Sequence, residues 1–123
     1  MAYIHPFRFL FSYVHNGRIG VLVEMGCETD YLTYTQEFQG LIKDVALQIA
    51  ATAPSDVEAL LKMPFVKDTS RLVDDVLRVA SAQFRERIAV TRFIRWSTEL
   101  QMHQEDPHPP RAPAVIMSFR RPA

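Results

Sequence analysis

Between Phe7 and Val14, Phe7, Phe9, Phe11 and Tyr13 alternate with Arg8, Leu10, Ser12 and Val14. A period of two, rich in aromatics, predicts a strand. Asn16-Gly17 comes next, the pair best suited to the two positive φ angles of a tight hairpin turn, so the chain is expected to double back there. Ile19 to Glu24 then returns as a second strand. Its apolar residues (Ile19, Val21, Leu22 and Val23) fall on both faces, which predicts a central strand covered from both sides.

The period then changes. Phe38, Leu41, Ile42, Val45, Ala46, Ile49 and Ala50 recur at helical spacing, an unbroken apolar stripe that predicts a helix to about Thr52. Thr33 or Thr35 can cap it, and Thr33 with Gln36 fits a capping box. Pro54 stops it. Ser55 or Asp56 caps a short helical turn through Leu61, which Pro64 ends. A second amphipathic helix is predicted from about Ser70 to Phe84, with Leu72, Val73, Val76, Leu77, Ala80 and Phe84 inward. Asp74 and Asp75 with Arg71 and Arg78 form its solvated side. Arg87 to Trp96 reads as a third strand, in which Arg92 shares a side with Val90, Ile94 and Trp96. Its arginines suggest an edge or a partly exposed position.

In order β-β-α-α-β, these elements predict an α+β fold, a small, mainly antiparallel three-stranded sheet with helices packed on one face. Residues 1–100 form the expected domain. Residues 101–123 hold five of the eight prolines (Pro107, Pro109, Pro110, Pro113 and Pro122) and read as a poorly ordered tail. Within it, Gln101 to Pro113 reads as an extended linker, and Val115 to Phe119 is apolar enough to dock on a sheet edge.

Between the second strand and the first helix lies an abrupt polar elbow: Cys27, Glu28, Thr29, Asp30 and then Tyr31. An acid beside an aromatic ring, on a short loop held by a strand and a helix, suits a probe for another protein. It suits catalysis poorly, because no base, nucleophile or metal-ligand set sits nearby. Cys27 reads as a small buried residue at the strand end, with a reactive thiol as the alternative.

Composition narrows the classes. Apolar residues make up 48% and charged residues 23% of 123 positions, values of a soluble globular protein, and Lys plus Arg balances Asp plus Glu at 14 each. That balance gives no overall pull toward nucleic acid or membrane. The lone cysteine fits a reducing compartment, and no targeting signal stands out, so a cytoplasmic location is expected. No apolar run approaches the ~20 residues of a membrane helix. Neither a GxxxxGKS/T loop nor GxGxxG is present, so direct nucleotide binding is not expected. His5, His15, His103 and His108 are too scattered for a metal site. No catalytic residue, cofactor or metal is expected. Arg85, Arg87, Arg92 and Arg95 interleave with aromatics as on a single-strand RNA surface, but a packed stem with a hydrated head accounts for Arg92 as well.

Four segments, in order over roughly residues 3 to 97, carry a resemblance: YVHNGRIGVLVEMGCETDYL, EFQGLIKDVALQIAATAP, PFVKDTSRLVDDVL and RIAVTRFIRW. The chain resembles translation elongation factor Ts, the nucleotide-exchange factor of elongation factor Tu. In that family a Thr-Asp-Phe triplet follows the cysteine, and its acid and ring push into elongation factor Tu near the magnesium site. The resemblance puts Thr29, Asp30 and Tyr31 in that role, with Glu28 and Cys27 beside them. It implies a guanine-nucleotide exchange factor that is not an enzyme. It also implies a homodimer, since short members with one core subdomain pair up. The alternative is a module that binds elongation factor Tu, or another partner, without exchange. The chain departs from the family in having Tyr31 for the phenylalanine, in a shorter stretch between IAATAP and PFVKD, and in Arg85-Glu86-Arg87 where Gly-Glu-Asn is usual. By this resemblance the sequence is expected to start where the family's core domain begins, without the small N-terminal helical domain.

Overall fold

Asn16 and Gly17 both adopt left-handed conformations, φ 53° and 67°, and the Arg18 N–H donates to the His15 carbonyl at 3.0 Å. This tight turn joins β1 (Phe7–His15) to β2 (Ile19–Cys27), as the Asn-Gly pair predicts. A computed structural model describes residues 4–99; the tail and its apolar Val115–Phe119 segment lie outside the described residues. After β2 come a 3-10 turn (Tyr31–Tyr34), α1 (Gln36–Thr52), α2 (Val57–Leu61), β3 (Pro64–Phe65), β4 (Asp68–Leu72), α3 (Val73–Phe84) and β5 (Ala89–Ser97).

The main sheet has the order β1-β2-β5, antiparallel throughout, so the second strand is central. Val21, Val23, Met25 and Cys27 of β2 alternate onto the core side, where Phe38, Ile42, Val45 and Ile49 of α1 are buried. Phe9 meets Phe38 edge-on, with ring centroids 5.8 Å apart. Thr35, not Thr33, caps α1: its hydroxyl accepts the Phe38 N–H at 3.2 Å. Beyond Thr52, Ala53 turns left-handed at φ 49° and Pro54 follows.

Among the described residues, helices cover only one side of the sheet. The expectation that β2 is covered on both faces is corrected, because Leu22 is exposed on the open side together with Leu10 and Val14 of β1 and Ile94 and Trp96 of β5. The register sets these in adjacent rows: Ser12–Leu22–Ile94 and Val14–Gly20–Trp96. The next row holds Leu10, Glu24 and Arg92. Glu24 is buried there between Arg8 at 3.1 Å and Arg92 at 3.2 Å, and it accepts the Thr91 hydroxyl at 2.6 Å.

Two further expectations are corrected. The register slips between Glu24 and Met25, which leaves Thr91 as the extra residue on β5. Val90 is therefore buried on the core side, opposite in facing to Arg92, Ile94 and Trp96, although straight alternation puts all four together. Residues 70–72, expected to open the second helix, belong instead to β4, which pairs with β3. Gln48 of α1 decides this locally. Fully buried, it donates to the Pro64 carbonyl at 3.1 Å and accepts the Val66 N–H at 2.8 Å, tying the small hairpin to the helix. Leu72 is consequently exposed, and α3 buries Val73, Leu77 and Ala80.

Candidate partner-binding loop

The loop begins where β2 runs out at Cys27. Its side chain is fully buried, and its thiol donates to the Thr29 carbonyl at 3.2 Å. Burial, with the Glu86 carboxylate nearby, pushes the Cys27 thiol above its ordinary value. That environment favours the buried, inert reading of the cysteine over the reactive one. His5 lies over the preceding glycine, so closely that a Cβ on Gly26 would stand 2.6 Å from the His5 Cβ. Partial burial of His5, then the positive charge of Arg8, lowers its pKa.

Past the cysteine, the backbone is held from the other end of the sequence. The Glu28 and Thr29 N–H groups each donate to Glu86 Oε1 at 3.0 Å, and the Thr29 hydroxyl donates to Glu86 Oε2 at 2.5 Å. Glu28 returns the contact by accepting the Arg87 N–H. Thr29 Oγ1 also accepts the Leu32 N–H at 3.3 Å, which links the clamp to the 3-10 turn.

The turn itself has a buried base and an exposed tip. Leu32 and Thr33 are buried, and the Thr33 hydroxyl and N–H both donate to the Asp30 carbonyl, at 2.6 and 3.1 Å. Gln39 Nε2 donates to the Thr33 carbonyl at 2.7 Å, which fastens the turn to α1. Asp30 is exposed, and Tyr31 leaves 77% of its surface in water. Tyr34, one helical turn on, is equally open at 76%. Acid and ring therefore project outward from a braced turn.

The structure gathers Cys27, Glu28, Thr29, Asp30 and Tyr31 into one loop, with Cys27 inside it and Asp30 and Tyr31 at its surface. Sequence reading missed Glu86 and Arg87 as members, because nothing local connects them to a loop 57 or more residues away. It also missed Tyr34. Arg78, Arg85 and Arg87 flank a shallow depression beside the clamp, and the floor includes Ser81 and Ala82. Among the described residues no group of three or more His, Cys, Asp or Glu is placed to hold a metal ion. No helix of the described residues is long and apolar enough to cross a membrane. The side chains of Cys27, Glu28 and Thr29 are tied into hydrogen bonds, and Asp30 and Tyr31 are left exposed beside them.

Comparison with known proteins places the chain in a family. The profile of the family described as Elongation factor TS matches residues 28–122, a span that opens at Glu28 itself. Elongation factor Ts of Desulforamulus reducens is 31% identical over 143 aligned positions, which cover 77% of this chain and 66% of that protein. Elongation factor Ts of Anaeromyxobacter sp. strain Fw109-5 is 35% identical, with 69% of this chain and 60% of the relative covered. That of Nostoc sp. strain PCC 7120 is 41% identical over 81 positions, covering 66% and 25%. The chain thus spans less than the full length of each relative, 66% at most among these three. Since the profile runs through most of the sequence and two of these relatives align over more than two thirds of it, the chain belongs to the elongation factor Ts family.

Proposed function

We propose that the chain binds elongation factor Tu and accelerates release of its GDP, with the Asp30-Tyr31 tip entering the partner near its nucleotide and magnesium. The observation that carries this reading is the outward projection of both side chains from a turn whose base is buried. The mechanism needs no bond-making by the chain itself. A factor that binds the nucleotide-free partner better than the nucleotide-bound one must, by reciprocity, weaken nucleotide binding by the same ratio. Magnesium holds phosphates only in near-ideal octahedral geometry, so a ring that displaces the partner's switch segment loosens the nucleotide. Thr29 and Glu28 serve as the base of the wedge, and Cys27 as its buried root. The reaction belongs in the cytoplasm, where translation elongation occurs.

The test is release of fluorescent GDP from elongation factor Tu, with and without the protein. Acceleration that scales with added protein is expected. Measurable binding with unchanged release would instead favour a non-exchanging docking module. The Tyr31 hydroxyl is the feature that keeps that second reading in view, since an apolar slot built for a phenylalanine gives it no partner.

The open side of the sheet supports a homodimer as the working form. Leu10, Val14, Leu22, Ile94 and Trp96 lie in neighbouring rows with no element of the described residues over them. A second copy presenting the same rows matches them in chemistry.

A further inference from the structure

The geometry points to Glu86 as a positioning residue for exchange: its carboxylate fixes the backbone of Glu28 and Thr29, so the Asp30-Tyr31 tip is already set in its docking conformation. This rests on the exchange reading above and adds to it a residue remote in sequence. Three of the loop's donors converge on this one carboxylate, two N–H groups at 3.0 Å and the Thr29 hydroxyl at 2.5 Å. An acceptor with two oxygens is needed for that, because Oε1 takes both N–H groups while Oε2 takes the hydroxyl. Charge strengthens all three bonds.

The clamp leads directly to the tip. Thr29 Oγ1, oriented by its donation to Glu86, is the acceptor for the Leu32 N–H at 3.3 Å. Leu32 is buried, and Tyr31 stands immediately before it. From the other side, Glu28 accepts the Arg87 N–H, so the two loops brace each other reciprocally. Among the described residues neither Asp30 nor Tyr31 makes a side-chain hydrogen bond that could hold it unaided, and the order of the tip comes from the residues before and after it. Without Glu86 the backbone of residues 28–31 must be ordered during docking, a conformational cost that preorganisation removes.

Glu86→Ala is expected to lower the second-order rate of stimulated GDP release roughly 10- to 100-fold, the range lost with a few charge-assisted hydrogen bonds. Glu86→Gln keeps an oxygen for the two N–H groups and is expected to recover at least half of that loss on a logarithmic scale. The decisive arm is the pair with Tyr31→Ala. If Glu86 acts through the tip, adding Glu86→Ala to Tyr31→Ala changes the rate by less than about threefold, because interacting sites are not additive. Full additivity in the double variant would overturn the proposal, as would a Glu86→Ala protein of wild-type rate. Amide hydrogen exchange supplies a partner-free readout: protection of the Glu28 and Thr29 N–H groups should fall in Glu86→Ala while that of α1 stays. Unchanged protection would also overturn it. A wild-type protein that leaves GDP release unaltered removes the exchange reading itself, a result distinct from an active wild type indifferent to Glu86.

Discussion

Truncating the ring at the tip gives the most direct measure of what that ring contributes. In the free protein Tyr31 leaves 77% of its surface in water, so Tyr31→Ala should change folding stability by less than about 0.5 kcal/mol. In the complex the same ring is to be enclosed. An aromatic side chain buries ~150–250 Å² in full, so three quarters of that is on the order of 110–190 Å² still to be covered. At about 25 cal/mol per Å² this gives roughly 3–5 kcal/mol, from which immobilising one side chain subtracts about 0.5–1.5. A net of about 2–4 kcal/mol corresponds to roughly a 30-fold to nearly 1,000-fold loss in stimulated GDP release. Stopped-flow release of fluorescent GDP from elongation factor Tu measures it, with thermal unfolding of the variant as control. Tyr31→Phe moves the other way if the slot lacks a polar neighbour, gaining up to roughly 1–3 kcal/mol from the hydroxyl no longer stranded. An exchange rate untouched by Tyr31→Ala would refute the reasoning. So would a melting temperature lowered by many degrees, since the ring would then belong to the protein's own core.

Gln48→Leu should destabilise the protein by about 2–4 kcal/mol, because it removes two hydrogen bonds and strands the Pro64 and Val66 backbone groups near a fully buried position; urea unfolding measures it, and a loss under about 1 kcal/mol would contradict the role given to Gln48. Glu24 titrates below the ordinary 4.5, chiefly through the Thr91 hydroxyl and against the effect of burial, with Arg92 and Arg8 adding to the shift. A depressed carboxylate pKa contributes stability that is complete above the unfolded value and disappears as pH falls through the folded one, so Glu24→Gln should flatten the acid limb of the unfolding profile below about pH 4.5. Trp96→Glu places a charge on the most exposed aromatic of the open apolar rows and should convert a dimer to monomer in sedimentation equilibrium, without loss of fold.

Local chemistry was readable wherever it decided the outcome. Asn16-Gly17 specified its turn because few other pairs accept two positive φ angles, and α1 followed from an apolar stripe too long to be a strand. Residues 70–72 were misread because Leu72, Val73 and Val76 keep helical spacing, while the deciding partner, Gln48, lies on another element. The facing of Val90 was misread because a bulge depends on both strands, and Thr91 alone gives no sign of being the extra residue. The two-sided reading of β2 took Leu22 as evidence of cover, whereas an exposed leucine on a sheet is equally compatible with an open face. In the site, the elbow from Cys27 to Tyr31 was legible from composition and order alone. Its brace was not, although the Gly-Glu-Asn position read as replaced keeps its middle residue, Glu86, and Arg85 takes the left-handed φ of 59° that suits a glycine.

The burial of Cys27 has a further effect on the loop it anchors. A thiol sealed from solvent, with its pKa pushed up by burial, is a poor target for peroxide or electrophiles, since attack needs the thiolate and access to it. Oxidation at this position would add bulk and polarity where the thiol now meets the Thr29 carbonyl, at the root of the loop. By hiding its sulfur, the chain shields the loop that starts here from redox stress in the surrounding medium.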